Sequence, residues 1–240
     1  HGDRRVNLGI EGRTALIVGA SRGIGLEIAR ELAAERCKVI TVSRTASPPG
    51  PWYSIECDLM PEEGPATLLG LIKTPPDIIV HVIGGSQGVT DVLGNSADYS
   101  KVWRLNLGIS LEINRLYIPM MQRNKWGRIV YITSSATRTW TGYAPYTSAK
   151  YALEGYVKIA SREFSKDGVI ITAVSPGVVH TPGRYYASLD SKEQEEYFQK
   201  YLPIHRFGRA EEVARVVSFL ASEHSAYMSG SIVQIDGGAR

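Results

Sequence analysis

Two hundred and forty residues, 43% hydrophobic and 21% charged, suit a single α/β domain that buries its own core without staples. A formal net charge of +3 is too mild to argue for nucleic acid, and it suits an anionic small ligand. No uninterrupted apolar run reaches membrane-spanning length, and the start His1-Gly2-Asp3-Arg4-Arg5 carries no apolar signal segment, so the cytoplasm is the expected location and no membrane partner is expected.

Thr14-Ala15-Leu16-Ile17-Val18 reads as a strand. The glycine turn Gly19-Ala20-Ser21-Arg22-Gly23-Ile24-Gly25 follows it, and then a helical pattern from Leu26 to Leu32. Gly19 permits the tight turn, while Gly23 and Gly25 let a pyrophosphate and the helix start come close. The backbone N–H groups of that helix start then face the anion. A second strand, from Cys37 to Val42, ends at Ser43-Arg44-Thr45, beside the place of an adenosine ribose in this topology. No acidic residue stands there to accept from ribose hydroxyls. The third strand, from Tyr53 to Cys57, ends at Asp58-Leu59. Asp58 is placed either to receive an adenine amino group or to cap a helix starting near Pro61. Cys37 and Cys57 read as reduced structural thiols, and no metal site is expected.

The fourth strand, Ile78-Ile79-Val80-His81-Val82-Ile83, is nearly all apolar and ends in Gly84-Gly85, a second place for backbone to meet a ligand. His81 reads as a satisfied core histidine rather than a catalytic one. Residues 96–122 form a long helical pattern interrupted near Asn106-Leu107-Gly108, either as a tolerated kink or as a break that frees backbone groups to hold water. The fifth strand, Gly127 to Ile132, delivers Thr133-Ser134-Ser135 to its C-terminal end, where open parallel sheets place their chemistry. A helix is expected over 148–163, a sixth strand from Val169 to Val174, a helix over 211–222 and a last strand from Ser231 to Asp236. Residues 182–203 are polar and aromatic, and they read as a substrate lid.

Tyr146 and Lys150 are four residues apart, so a helix would place them on one face. An ordinary tyrosine is only ~0.1% ionised at neutral pH. A cation about 4 Å away, at an effective dielectric of about 20, contributes roughly 4 kcal/mol, enough to bring the hydroxyl about three pH units toward neutrality. Lys150 is such a cation.

In this order, G-x-x-x-G-I-G, a strand-end Asp, an Asn in a broken helix, a strand-end Ser and Y-x-x-x-K resemble the short-chain dehydrogenase/reductase family in its compact form. Pro176-Gly177, the segment from Arg206 to Ala214 and the ending around Asp236-Gly237-Gly238 extend the resemblance over nearly the whole chain. It implies a doubly wound, mostly parallel α/β sheet of Rossmann type. It also implies Tyr146 as general acid/base, Ser134 (rather than Ser135, by register) hydrogen-bonding the substrate oxygen, and Lys150 on the nicotinamide ribose. Asn106 would support a water that links Lys150 to solvent. Gly19, Ser21, Arg22, Gly23, Ile24, Gly25, Ser43, Arg44, Asp58 and Leu59 would line the adenosine and phosphate side of the cofactor. Gly84, Gly85, Pro176, Gly177, Val179 and Thr181 would line the nicotinamide side.

Two departures from the family pattern stand out. Val18 takes the place of a usual Thr before the first glycine, and His81-Val82-Ile83-Gly84 takes the place of Asn-Asn-Ala-Gly. Apolar packing is therefore expected in place of the polar network there, with His81 as the remaining donor. The expected activity is interconversion of a secondary alcohol and a ketone on a small polar or sugar-like molecule, in a homotetramer. With Ser43 where an NAD-type acid would stand, and Arg44 and Arg22 close by, NADP(H) is expected ahead of NAD(H). A catalytically silent NADP(H)-binding sensor is the alternative from another class. A sugar-nucleotide epimerase is disfavoured, because such proteins carry a C-terminal substrate domain for which this chain has no room.

Overall fold

The computed structural model describes residues 6–181 and 188–239. Seven strands form one sheet in the order β3-β2-β1-β4-β5-β6-β7, with every adjacent pair parallel. The strands are β1 (Thr14–Val18), β2 (Lys38–Ser43), β3 (Trp52–Glu56), β4 (Ile78–His81), β5 (Gly127–Ile132), β6 (Val169–Pro176) and β7 (Ile232–Ile235). The central strands β1, β4, β5 and β6 are buried along their whole length, which is why they read as continuous apolar runs. The chain runs outward from β1 to β3 and then returns to β4, so the crevice between β1 and β4 is the switch point where such sheets bind ligands.

Helices cover both faces. On one face α1 (Gly23–Ala34) and α8 (Ala210–Leu220) pack Ile28, Leu32, Val213 and Val217 against Ile17, Val80 and Val130. On the other, α2 (Gly64–Leu71), α4 (Ile109–Arg123) and α6 (Ala144–Phe164) pack Leu68, Ile113, Leu153 and Val157 against Leu16, Ile79 and Tyr131. Among the described residues no helix is long and apolar enough to cross a membrane.

Three local readings are refined. The interrupted helix is α3 (Ser96–Trp103), a π-helical turn Arg104–Gly108 and then α4, so the break expected at Asn106-Leu107-Gly108 is a widened turn rather than a kink. The helix expected from residue 148 begins at Ala144. Pro145 lies in its first turn, where a missing N–H costs nothing, and this brings Tyr146 into the helix with Lys150. The helix expected near Pro61 begins at Gly64. Asp58 does not cap it; its Oδ1 accepts from the Met60 N–H at 3.0 Å.

The lid expected over 182–203 falls partly on residues 182–187, which lie outside the described residues. Beyond them, Asp190 starts α7 (Ser191–Tyr201) with a reciprocal capping box to Glu193. The aromatics Tyr197 and Phe198 turn inward and pack on Leu202 and Phe207 as a small third cluster. This stretch therefore has a helix and a core contact of its own.

Candidate active site

One cleft of about 1890 Å³ opens at the C-terminal ends of the strands. Of the residues expected at the site, Gly19, Ser21, Arg22, Gly23, Ile24, Gly25, Ser43, Arg44, Asp58 and Leu59 line its β1–β2–β3 side. Gly84, Gly85, Ser134, Tyr146, Lys150, Pro176, Gly177, Val179 and Thr181 line its β4–β5–β6 side. Asn106 stands behind the wall, 3% exposed. Thr141, Gly142, Tyr143, Gln87 and Arg209 also line the cleft and were not singled out, because they sit in loops or at a helix edge without a motif of their own.

The glycine turn is built for close approach. Gly19 and Gly23 take φ of +99° and +57°, which only glycine adopts readily. A methyl on Gly25 would lie 2.0 Å from the Gly19 carbonyl oxygen, so α1 meets the turn with no room for a side chain. The N-cap of α1 is Arg22, whose side chain makes no capping bond, and no acidic residue lies in the first turn. The first-turn N–H groups are thus left for an anion from the cleft, which fits a dinucleotide pyrophosphate. Arg22 and Arg44 are exposed at the rim, and among the described residues neither makes an ion pair. The Ser43 hydroxyl turns back to donate to the Thr45 carbonyl at 2.7 Å.

The apolar replacement expected between Val18 and Ile83 is present. A methyl on Gly19 would meet Ile83 Cγ2 at 2.6 Å, and the Val82 and Ile83 N–H groups both donate to the Val18 carbonyl. His81 is not the donor expected there. It lies in the same layer as Val18 and Ile83 but turns away from the glycine turn, its Nε2 meeting Asn114 Oδ1 at 3.0 Å and its ring stacking on Tyr131 at 4.8 Å. Residues alternate between faces along a strand, so His81 shares the face of Ile79 and not that of Val80.

Around Lys150 the packing is tight. Its ammonium is buried, donates to the Ile132 carbonyl at 2.9 Å and lies 5.6 Å from the centre of the Tyr146 ring. Burial pulls its pKa down to about 8, against the pull of the Glu154 charge, which favours the cation. Asn106 Oδ1 accepts from the Gly85 N–H at 3.1 Å, while Nδ2 donates to the Gly85 and Val102 carbonyls, each at 2.8 Å. The π-turn thus clamps Asn106 onto the glycine pair that ends β4. A methyl on Gly84 would lie 2.7 Å from Asn106 Oδ1 and 3.0 Å from Lys150 Nζ, so the bare backbone at Gly84 is what lets these groups converge. Ser134 is half-buried at the end of β5. Its Oγ already accepts from the Ala136 N–H at 3.2 Å, so the hydroxyl hydrogen is free to point into the cleft.

The comparisons agree with this geometry. Residues 19–240 match a family model described as "Enoyl-(Acyl carrier protein) reductase". A 3-oxoacyl-[acyl-carrier-protein] reductase MabA of Mycobacterium avium is 33% identical over 230 residues, covering 94% of this chain and 89% of the relative. A 3-oxoacyl (acyl-carrier-protein) reductase of Agrobacterium tumefaciens C58, solved with NADP bound, superposes with a TM-score of 0.88 at 27% identity, covering 99% of this chain and 98% of that one. An L-sorbose reductase of Gluconobacter frateurii, solved with NADPH and L-sorbose, shares the fold with a TM-score of 0.86 at 24% identity, covering 97% and 98% of the two chains. With this sheet, this glycine turn and a tyrosine–lysine pair on one helix above a common cleft, the chain belongs to the short-chain dehydrogenase/reductase family of oxidoreductases.

Proposed function

We propose that this protein is an NADP(H)-dependent oxidoreductase that interconverts a secondary alcohol and a ketone, with Tyr146 as general acid/base. The observation that carries the reading is the convergence of Ser134, Tyr146 and Lys150 on one cleft, with Gly84 leaving room for the ammonium. When bound, the nicotinamide supplies or accepts the hydride. Tyr146 gives its hydroxyl proton to the carbonyl oxygen in reduction and takes it back in oxidation. Ser134 donates to the same oxygen and stabilises the charge that develops there. The Lys150 ammonium stabilises the tyrosinate left behind, and Asn106 supports a water that returns the proton from solvent. The intact set argues against a sensor that has lost catalysis.

For the substrate, the full-length relatives named as 3-oxoacyl reductases favour a 3-oxoacyl thioester. A sugar-like substrate leans on the polar and aromatic residues of 182–203. Tyr197 now packs inward on Phe207, which weakens that support. Following NADPH absorbance with a short 3-oxoacyl thioester beside a panel of ketoses decides between them. Turnover of neither would sink the reading.

The preference for NADP(H) is placed on Arg22 and Arg44. Two exposed charge-assisted hydrogen bonds to a 2′-phosphate contribute ~2–4 kcal/mol together, or roughly 30- to 1,000-fold in preference. Replacing Ser43 with Asp and Arg44 with Leu should reverse the ratio of kcat/KM for the two cofactors, and wild type using NAD(H) as well as NADP(H) would overturn the assignment.

The homotetramer is proposed on two surfaces. Tyr151, Gly155 and Ile159 form an exposed stripe at four-residue spacing on α6, with Tyr151 48% and Ile159 67% exposed and open space around Gly155. β7 is the last strand of the sheet among the described residues. Light scattering should give four copies at micromolar concentration, and a stable monomer would exclude the arrangement.

A further inference from the structure

Ser134 leaves β5 and enters α5 (Ala136–Thr139), a single turn that is too short to hold itself in place. The direction of the Ser134 hydroxyl depends on where that turn sits. The contacts that tie the turn to α6 meet at Thr137. Its Oγ1 has two acceptors within reach of its one hydrogen, the Ser134 carbonyl oxygen and Glu154 Oε1, each 2.9 Å away. The Thr137 N–H also donates to the Ser134 carbonyl at 3.3 Å, and the Tyr151 hydroxyl donates to the Thr137 carbonyl. Thr137 itself is only 7% exposed.

Behind the turn the space is not filled. An open surface groove of about 430 Å³ lies there, with Thr137, Arg138, Glu154, Lys158, Ser175 and Gln234 in its walls. Close packing therefore does not fix the turn from this side, and hydrogen bonds must: Arg138 donates to the Ala239 carbonyl and pairs with Asp236, while the bonds at Thr137 hold the turn to α6. Glu154 follows Lys150 by one helical turn on α6, so a single carboxylate touches both the serine turn and the surroundings of the lysine.

We propose that Thr137 and Glu154 are positioning residues, a brace that holds the Ser134 turn against α6 so that Ser134 and Tyr146 present their hydroxyls to one substrate oxygen. The inference rests on the proposed roles of Ser134 and Tyr146 and adds a part that touches neither substrate nor cofactor. Without the brace the serine drifts and the two donors no longer converge, while the glycine turn that holds the cofactor is untouched. The loss should therefore fall on kcat.

The test compares Thr137→Val, Glu154→Leu, the double variant and Thr137→Ser in the full-length protein. Valine keeps the shape of threonine and loses the hydroxyl, whereas serine keeps the hydroxyl. Thr137→Val and Glu154→Leu should each lower kcat about tenfold with NADPH affinity within about twofold of wild type, since small misplacements of reacting groups are costly. The double variant should fall no further than the singles, because both remove one brace. Thr137→Ser should stay within about twofold of wild type. A Thr137→Val enzyme with unchanged kcat, losses that multiply in the double variant, or NADPH affinity that falls together with kcat would overturn the proposal. If wild type binds NADPH but reduces none of the carbonyl substrates, the functional reading fails instead. The brace is then judged by amide hydrogen exchange over residues 136–140, which Thr137→Val should speed about tenfold and which would refute the brace if unchanged.

Discussion

Lys150 and His81 are two buried basic side chains in the same helical layer of the sheet, and they end in opposite states. Burial lowers both, Lys150 to about 8 and His81 to about 4. His81 sits in a buried network through Nε2, while its Nδ1 has no hydrogen-bond partner among the described residues. Asn114 Oδ1 can only accept, so His81 Nε2 carries the proton, and Asn114 Nδ2 donates to the hydroxyls of Tyr131 and Tyr156. None of these groups lines the cleft. Lys150 has a carbonyl partner in the core, yet its ammonium also faces the cleft beside Tyr146. A perturbed titratable group is thus not a site by itself. Access to a ligand separates the two, and it is provided by a glycine with no side chain at position 84.

The comparison breaks first at Tyr146. Tyr146→Phe should lower turnover by at least ~10²-fold, the usual scale of lost acid–base catalysis, with NADPH affinity within about twofold of wild type. Retention of more than about a tenth of the activity would remove the tyrosine from its role. Lys150→Met should damage turnover and NADPH affinity together if the ammonium has both proposed jobs, on the tyrosine and on the ribose; a loss confined to one of them would show a single job. His81→Leu should do the reverse. It strands the Asn114 carbonyl and should cost about 1–3 kcal/mol in denaturant unfolding, with turnover within about twofold. A His81→Leu protein of normal stability and little activity would erase the distinction drawn here.

Stability against pH sharpens the same contrast with the smallest effects. Both pKa values are lowered on folding, so the unfolded chain binds more protons between the folded and ordinary values, and stability rises with pH across each window. For His81 the window runs from about 4 to the ordinary 6.5, and stability should fall by about 1 kcal/mol per pH unit as acid is added through it. For Lys150 the window runs from about 8 to the ordinary 10.5, and there turnover should fall as the ammonium deprotonates while its contribution to stability grows. Acid sensitivity that survives His81→Leu unchanged would assign that window to another group.

Much of the site was legible because its motifs are local. The turn from Gly19 to Gly25 lies within one strand–helix junction, where φ and steric room are set by neighbouring residues, and Tyr146 and Lys150 meet through helical periodicity alone. The ends of the apolar runs marked Asp58 and the pair Ser134-Ser135, while the choice of Ser134 and the doubly wound order came from the family resemblance. The same local reading placed the start of α6 late, at 148, whereas the helix begins at Ala144 with Pro145 in its first turn.

Contacts that join distant segments were decided only by the tertiary structure. His81 lies 33 residues from Asn114, Thr137 lies 17 from Glu154, and Asn106 lies 21 from the Gly85 backbone it clamps. Which of these meet depends on strand register and on how α4 and α6 cross the sheet, and a one-residue change of register turns a side chain to the other face. The sequence by itself therefore determined the chemistry on offer: a cradle for an anion, a tyrosine with its lysine, a serine at a strand end and arginines where an acid would select NAD. The packing decided which of the buried polar groups reach the cleft, because burial and hydrogen bonding are shared among segments that no stretch of sequence holds together.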